Sequence, residues 1–456
     1  MGIDNSKKIH FIGIGGTGMS GLAHMCLKDG FCVSGSDLRS SKATNRLSDS
    51  GAIINFPHNK GNISDEPVIV ISSAIPESNE ELKFAKSLGL TIKKRAEMLA
   101  WFMKDKSGIS IAGCHGKTTT TTMVSSILTQ AGVDPSTIVG GEANHVGGNA
   151  KYGKGEYIVA EADESDGSFL LLPSKYSIVT NVDNDHLDYY KNFEGVCRAF
   201  FQFIQNTRDF SIVCGESEAL YEMVQNQEHV KTYGLSDKFD YWAEDIKLKG
   251  FSSEFTVKSK TGKIIKLLLN TPGLHNLLNG VAAVAMCDNL GIAQKDIELG
   301  LAKFCGVQRR FEKVQDANEI LVVDDYAHHP TEIKATMKSA SSLAKSRNGK
   351  LIVVFQPHRY SRVAEVLEDY KGCFEGADFL YMAPIYSSGE LNPLNLSTWD
   401  IYKRCDYDPK NIMVLDSDDW SAFGKKLAGE LKANDVLLTL GAGDITYLGR
   451  LLDLTK

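Results

Sequence analysis

Several things are scarce in this chain, and each scarcity removes a class of protein. Its nine cysteines are scattered, odd in number and never spaced as C-x-x-C. A disulfide framework or zinc ribbon is therefore not expected, and a reducing cytoplasm is the expected compartment. No apolar run approaches the roughly 18 residues of a membrane-spanning helix, so no membrane insertion is expected. Residues 1–8 are polar and run into an apolar strand, unlike a signal peptide. A basic excess is missing too: the formal net charge is -7. That argues against a broad nucleic-acid footprint, while a few local cations suffice for a small anionic substrate. Internal repeats and low-complexity tracts are also lacking.

What is present is 43% hydrophobic residues over 456 positions, enough for two or three domains with cores of their own. The chain is organised around Ile109-Ser110-Ile111-Ala112-Gly113-Cys114-His115-Gly116-Lys117-Thr118, followed by threonines through Thr122. This reads as a short apolar strand, a Gly-bounded turn and a helix. Met123, Val124, Ile127, Leu128 and Ala131 form the helix's apolar face, and Gly132 suits its C-cap. Such a turn aims backbone N–H groups at an anion. In a phosphate loop Lys117 reaches the β/γ-phosphates and the Thr118 hydroxyl binds Mg²⁺. The strict G-x-x-x-x-G-K-[ST] pattern is incomplete, because Ile111 stands where its first Gly belongs. A glycine turn closed by a surface lysine is the alternative.

Ahead of this turn, residues 8–14, 31–34, 52–56 and 68–72 read as strands, and 18–28 and 78–88 as helices. That alternation predicts a parallel sheet with covered faces. Gly13-Ile14-Gly15-Gly16-Thr17-Gly18 matches G-x-G-x-x-G, and Asp37 follows about 20 residues on, as in a dinucleotide fingerprint. Whether the diphosphate belongs to NAD or to a nucleotide-sugar stays open on these residues. Residues 104–107 read as a linker.

Beyond the phosphate turn, strands at 157–163 and 177–183 end in polar and acidic residues. Open α/β sheets bind ligands at the carboxyl ends of strands, which places Asn181, Asp185, His186 and Asp188 near the phosphates. Glu161 and His186 are candidate Mg²⁺ ligands, His186 the less conventional because magnesium prefers oxygen. Residues 240–269 alternate polar and apolar, predicting antiparallel strands. Asn276 and Asn279 share a helix face and suit either a base edge or the polar start of a core helix. After Arg309-Arg310-Phe311 the βα pattern returns, with strands at 320–323, 351–355, 379–383, 412–415 and 436–440. Four of these run into the clusters 324–330, 356–362, 384–386 and 441–444, which together predict one binding rim.

In their order along the chain, these landmarks resemble the Mur ligases. They are 13–19, Ser72-Ser73-Ala74-Ile75-Pro76, 113–120, Glu161-Ala162-Asp163-Glu164-Ser165-Asp166, Asp185-His186-x-Asp188, 272–276, 309–311, 324–330 and 358–362. The resemblance covers nearly the whole chain. It implies an α/β protein of three domains: a Rossmann-like UDP-sugar domain at 1–106, a central P-loop-type ATPase domain with a mainly parallel sheet at 107–312, and a Rossmann-like amino-acid domain at 313–456. The usual residue at position 114 is Thr, so Cys114 is a departure that loses a good hydrogen-bonding hydroxyl.

Within the family, the runs at 163–166 and 325–326 resemble the branch that joins L-alanine to UDP-N-acetylmuramate in peptidoglycan precursor synthesis. The implied chemistry is attack of the lactyl carboxylate on the γ-phosphorus of ATP, giving an acyl phosphate and ADP. The alanine amine then displaces phosphate. Cations must neutralise a carboxylate that approaches a triphosphate. Lys117 and Mg²⁺ supply them, with Thr118, Glu161 and His186 implied for the metal. The resemblance implies an ATP site of Gly113, Cys114, His115, Gly116, Lys117, Thr118 and Thr119, with His275, Asn276 and Asn279 at the adenine and Arg309 and Asp325 also acting on ATP. Gly15, Gly16, Thr17, Gly18, Asp37, His58, Ser72 and Ser73 are implied for the UDP-sugar. His328 is expected near the reacting groups, without a general-base role. If Cys114 is accessible at the phosphates, electropositive neighbours should favour its thiolate. Arg359 and Arg362, three residues apart at a helix start, are the expected grip on the alanine carboxylate. Cations fit poorly at a helix N-terminus, and that misfit suggests an anionic partner. The rival readings are a recycling ligase attaching a whole peptide to the same sugar, a NAD-dependent oxidoreductase, and a nucleotide-binding regulator without turnover.

Overall fold

The computed structural model describes residues 7–64, 67–143 and 146–454, and three sheets carry the chain. In the first, β1 (Lys8–Ile12), β2 (Cys32–Ser36), β3 (Ile53–Asn55), β4 (Val68–Ile71) and β5 (Ile92–Lys94) lie in the order β3-β2-β1-β4-β5. Every pairing is parallel. The order reverses between β1 and β4, which opens a crevice outside the carboxyl ends of those two strands. The Gly13–Gly18 segment sits there, with helix Thr17–Lys28 starting within it after the N-cap Gly16.

The second sheet holds β6 (Ser107–Ala112), β7 (Ser136–Ala143), β8 (Gly148–Lys151), β9 (Tyr157–Glu161), β10 (Tyr176–Val179), β11 (Phe210–Cys214), β12 (Val230–Gly234), β13 (Tyr241–Lys249), β14 (Ser252–Ser259) and β15 (Ile264–Leu269). Its order is β15-β14-β13-β12-β11-β10-β6-β9-β7-β8. β6 lies parallel between β9 and β10, so its own turn is flanked by the acidic ends of both. Helix Lys117–Gln130, which follows β6, is buried over most of its surface, threonines included. It packs on helix Gln294–Ala302, where Gly300 makes the close approach possible: a Cβ there would stand 2.5 Å from Ile127 Cα. Ser126 Oγ donates to the Gly300 carbonyl at 2.7 Å.

The third sheet has β16 (Glu312–Ala317), β17 (Ile320–Asp325), β18 (Leu351–Phe355), β19 (Phe379–Met382), β20 (Ile412–Val414) and β21 (Val436–Leu440), in the order β16-β17-β21-β18-β19-β20. Only β16 runs antiparallel. Leu321, Val323, Val353, Phe355, Leu438 and Leu440 face one core, and Val322, Val354 and Leu437 face another. Alternate residues thus enter opposite layers, which is why these strands read as unbroken apolar runs. Burying each such side chain contributes about 1.5–3 kcal/mol.

The first sheet and most of the second belong to one compact unit, residues 1–245, 255–267 and 278–305. The second unit is 246–254, 268–277 and 306–456. Most expected strands are present within two residues. Sequence reading missed β5, β11, β12 and β16; β5 has only three residues, and β16, Glu312-Lys-Val-Gln-Asp-Ala317, reads polar on a sheet edge. It also missed the β7–β8 hairpin, whose glycines mask its pattern. The proposed linker at 104–107 is shorter than expected, since Ser107 already opens β6. Among the described residues no helix is long and apolar enough to cross a membrane.

Candidate functional site

The turn after β6 is built by two glycines in conformations that L side chains resist. Gly113 has φ +133° and Gly116 +83°. A Cβ on Gly113 would stand 2.0 Å from Thr180 Oγ1, and one on Gly116 2.6 Å from Asn279 Oδ1. The end of β10 closes the turn from the side. Thr180 Oγ1 and Asn181 Nδ2 donate to the His115 carbonyl at 2.6 and 2.9 Å, and His115 N donates to Asn181 Oδ1 at 2.9 Å. His115 Nε2 meets Asp183 Oδ2 at 2.9 Å. Thr118 and Thr119 are buried in the first helical turn.

Lys117 lies over this loop. Its Nζ donates to Gly113 O at 2.6 Å, Cys114 O at 3.2 Å and Glu164 Oε1 at 2.8 Å. Burial alone would push the ammonium down, but the Glu164 carboxylate outweighs it and raises its pKa, so the cation is secure. Glu164 is 1% exposed and its Oε2 has no partner. His186, at φ +59°, also turns to this carboxylate: Nε2 lies 3.6 Å from Glu164 Oε1 and 3.6 Å from Asp185 Oδ2. Burial disfavours its charge, yet the two acids lift its pKa above the ordinary value. Sequence reasoning passed over Glu164, although it quoted the acidic run that holds it. Glu161 ends β9 with Oε1 accepting from Gly140 N at 2.7 Å. The Asp188 side chain lies outside the described residues.

These residues fit a polyphosphate and a hard cation. Two left-handed glycines bend the loop into the start of helix Lys117–Gln130, a locked cation stands over it, and a buried carboxylate oxygen beside that cation lacks a donor. Cys114 corrects an expectation. Its Sγ accepts from Asp183 N at 3.2 Å, and burial pushes its thiol far above the usual range, so the thiolate is disfavoured.

The turn after β1 is closed by an acid instead. Gly13 N and Ile14 N donate to the Ser36 carbonyl at 2.9 and 3.0 Å. Asp37 Oδ2 accepts from Gly15 N at 2.7 Å and Oδ1 from Leu38 N at 2.7 Å. Gly16 caps the helix, and Arg95 lies against Gly18, where a Cβ would stand 2.8 Å from Arg95 Cδ. Arg95 Nη2 then donates to Asp163 Oδ2 at 2.8 Å, tying this turn to the end of β9. Ser72, after β4, is half-buried beside Gly13, and Ser73 is exposed. His58 Nδ1 is 2.8 Å from Ser36 Oγ, which donates to the buried Glu81 at 2.5 Å. Burial would raise Glu81, but hydrogen bonds from His10, Ser36, Asn59 N–H and Asn62 hold it down at about 2. A pocket of about 590 Å³ opens from Gly15 and Thr17 between Arg46, Glu142, Asn149 and Lys151. Asn149 Nδ2 donates to the Thr17 carbonyl and to Ser20 Oγ at 2.8 Å.

Helix Leu274–Asn289 divides the two asparagines. Asn276 Nδ2 donates to Pro272 O at 2.8 Å, while Asn279 abuts Gly116 in the turn after β6. His275 is driven down to about 4 by burial and by Arg310.

In the second unit the ends of β17, β18 and β21 converge. Arg309 donates to Gly441 O at 2.5 Å, Ala442 O at 3.2 Å and Gly443 O at 3.0 Å, and stacks 4.9 Å from the Tyr326 ring centre. Asp325 accepts from Phe311 N at 2.7 Å and Ala327 N at 2.8 Å, and burial lifts its pKa to about 6. Both side chains therefore brace their own domain. His328 Nδ1 meets the Tyr326 carbonyl at 3.0 Å, its ring is 5.8 Å from His358, and burial holds it neutral, down at about 3. His358 stacks on Tyr386 at 5.6 Å. Arg359 is the N-cap of a short helix, Tyr360–Glu365, at φ +66°. Its Nε donates to Glu390 Oε1 at 2.5 Å. The anion that the helix start called for is thus supplied, in part, by the chain itself. Arg362 lies in the same helix.

Comparison with known proteins agrees with this layout. Residues 8–107 match the family model described as Mur ligase family, catalytic domain; 111–287 match the Mur ligase middle domain, and 309–443 the Mur ligase, glutamate ligase domain. A UDP-N-acetylmuramate–L-alanine ligase of Geobacter sp. (strain M21) is 43% identical over 446 residues, 97% of this chain and 96% of the relative. The crystal structure of a UDP-N-acetylmuramate-alanine ligase from Thermotoga maritima superposes with TM-score 0.81 at 30% identity, covering 97% of each chain. A murein peptide ligase from Psychrobacter arcticus superposes at 0.71 and 25% identity, covering 97% of this chain and 98% of that one. With three models in one order and a relative matched almost end to end, this chain belongs to the Mur ligase family.

Proposed function

We propose that this protein is an ATP-dependent ligase that joins L-alanine to the lactyl carboxylate of UDP-N-acetylmuramate, in cytoplasmic peptidoglycan precursor synthesis. The observation that carries the reading is Lys117, locked between the carbonyls of its own glycine turn and the buried Glu164. Full-length relatives at about 40% identity are named for alanine, whereas the murein peptide ligase stands at 25%. This favours alanine over a whole peptide. The family-model bounds support domains at 1–106, 107–312 and 313–456.

ATP lies with its phosphates on the 113–119 turn, Asn279 bracing Gly116, and His275 and Asn276 toward the adenine. Lys117 neutralises charge on the β/γ-phosphates as the lactyl carboxylate attacks the γ-phosphorus. The new bond from the carboxylate oxygen to the γ-phosphorus forms as the bond from that phosphorus to the bridging oxygen of ADP breaks. Thr118, Glu161 and His186, with Glu164 added, would hold Mg²⁺, which would supply charge neutralisation at the phosphates. The UDP-sugar rests on 15–18, with Asp37, His58, Ser72 and Ser73 at its nucleotide end, and its muramyl end enters the pocket by Asn149. Arg359 and Arg362 take the alanine carboxylate. The neutral amine attacks the acyl carbon and phosphate leaves. Arg309, Asp325 and His328 shape the third-domain rim.

Phosphate release, measured with ATP and each substrate added singly and together, tests this. Release that needs both UDP-N-acetylmuramate and L-alanine is the expected result. Release with a tripeptide in place of alanine would mean a recycling ligase. Nucleotide binding without release would mean a regulator.

A further inference from the structure

Arg359 is held from three directions. Its φ of +66° is strained for a residue with a Cβ, and its backbone N–H donates to Tyr386 O at 2.8 Å. Its Nε is taken by Glu390 Oε1 at 2.5 Å. Glu390 is fixed in turn by Ser361, whose Oγ donates to Oε1 at 2.8 Å and whose N–H donates to Oε2 at 3.1 Å. The loop that carries Glu390 is a tight one: Ser388 and Gly389 adopt φ +53° and +84°, and Glu390 N donates to Ser387 O at 3.0 Å. Among the described residues no acceptor meets Nη1 or Nη2 of Arg359, and the side chain is 44% exposed.

A guanidinium offers a carboxylate two forks, one along the Nε edge and one across the two terminal nitrogens. Here the first is occupied. We propose that Glu390 is a positioning residue for the amino-acid end of the reaction: it fills the Nε edge of Arg359 and leaves the terminal nitrogens for the substrate carboxylate. This rests on the reading that Arg359 takes that carboxylate. It also explains why an arginine beside an internal acid still serves an anion. Glu390 spends one edge and fixes the direction of the other.

Steady-state kinetics of Glu390→Ala, Glu390→Gln and Arg359→Lys test the proposal, with acyl phosphate trapped by hydroxylamine as a second readout. Glu390→Ala is expected to raise the KM for L-alanine about ten- to a hundred-fold, since misplacement of about 1 Å has effects of that size. KM for ATP and hydroxamate yield stay near wild type, and Glu390→Gln, which keeps an acceptor for Nε, recovers most of the loss. An unchanged alanine KM in Glu390→Ala beside a raised one in Arg359→Lys would overturn the positioning role alone. Unchanged values in both would overturn the assignment of Arg359 itself. Equal rises for alanine and ATP would mean general loop damage and also overturn it. Should Glu390→Ala fail to fold, Glu390→Asp carries the test, since the shorter side chain withdraws the carboxylate from Nε. A raised alanine KM with an unchanged ATP KM supports the proposal, and an unchanged alanine KM overturns it.

Discussion

The two glycine turns of the first compact unit share a scaffold and differ in the charge that closes them. After β1, an acid comes to the loop: Asp37 accepts the N–H of Gly15, and the buried Glu81 supports Ser36 beneath it. After β6, a cation comes to the loop: Lys117 lies on the carbonyls of Gly113 and Cys114 and is countered by Glu164. A turn closed by an acid at its strand end, with Arg95 against its last glycine rather than over its carbonyls, suits a ligand rich in hydroxyls with a diphosphate already bonded in ester linkage. A turn crowned by lysine suits the free end of a triphosphate, where charge develops during transfer. The two turns are thus closed differently, one by the carboxylate of Asp37 and the other by its own Lys117 held against Glu164.

The largest expected break in this comparison is Lys117→Ala. Turnover should fall by about 10³-fold or more, while calorimetric affinity for UDP-N-acetylmuramate stays near wild type, because the site proposed for that ligand is the other turn. Near-normal ligation would remove the phosphate-turn assignment.

Next in size is the steric contrast. Gly113→Ala combines a positive φ with a 2.0 Å approach to Thr180 Oγ1, and denaturant unfolding should show a loss of about 3–5 kcal/mol. At Gly15 the obstacle is Asp37 Oδ2 at 2.8 Å, with φ unstrained. That carboxylate can rotate away at the cost of one hydrogen bond, so Gly15→Ala should lose about 1–2 kcal/mol. Equal losses would mean that the turns are built alike.

The turns should also respond to pH with opposite sign. Glu81 has a depressed folded pKa, so its contribution is present above the ordinary value of 4.5 and is lost as pH falls from there toward about 2. His186 has a raised folded pKa. Its contribution is therefore complete below its ordinary value of 6.5 and is lost as pH rises through the elevated one. Stability measured against pH should lose its acid limb in Glu81→Gln and flatten above neutrality in His186→Gln. A neutral limb unchanged in His186→Gln would detach that histidine from Glu164.

The smallest effect is expected at Cys114. Cys114→Thr should keep activity near wild type, since a hydroxyl can accept from Asp183 N as the sulfur does. Mass-spectrometric alkylation should label the exposed Cys32 and Cys305 long before Cys114, with or without ATP. Rapid labelling of Cys114 in the native enzyme would contradict its burial.

Much of this was legible beforehand for a physical reason. Glycines at 13, 113 and 116 sit where the backbone takes positive φ, and no tertiary contact is needed to expect that. The two-faced burial of β17, β18 and β21 was equally plain from their unbroken apolar runs. Edge strands such as β16 escaped, because a strand half in water has no such signature.

Sequence by itself therefore determined the α/β class, the two glycine turns and the strand-end clusters, since these follow from local backbone preference and periodicity. Only tertiary structure decided which charges meet. Glu164 stands 47 residues from Lys117 and Glu390 31 from Arg359, and no local rule links such positions. Nor could composition show that Cys114 is buried away from its thiolate or that His328 stays neutral. Ionisation depends on desolvation and on neighbours brought together by the fold, and those exist only once the sheets have packed.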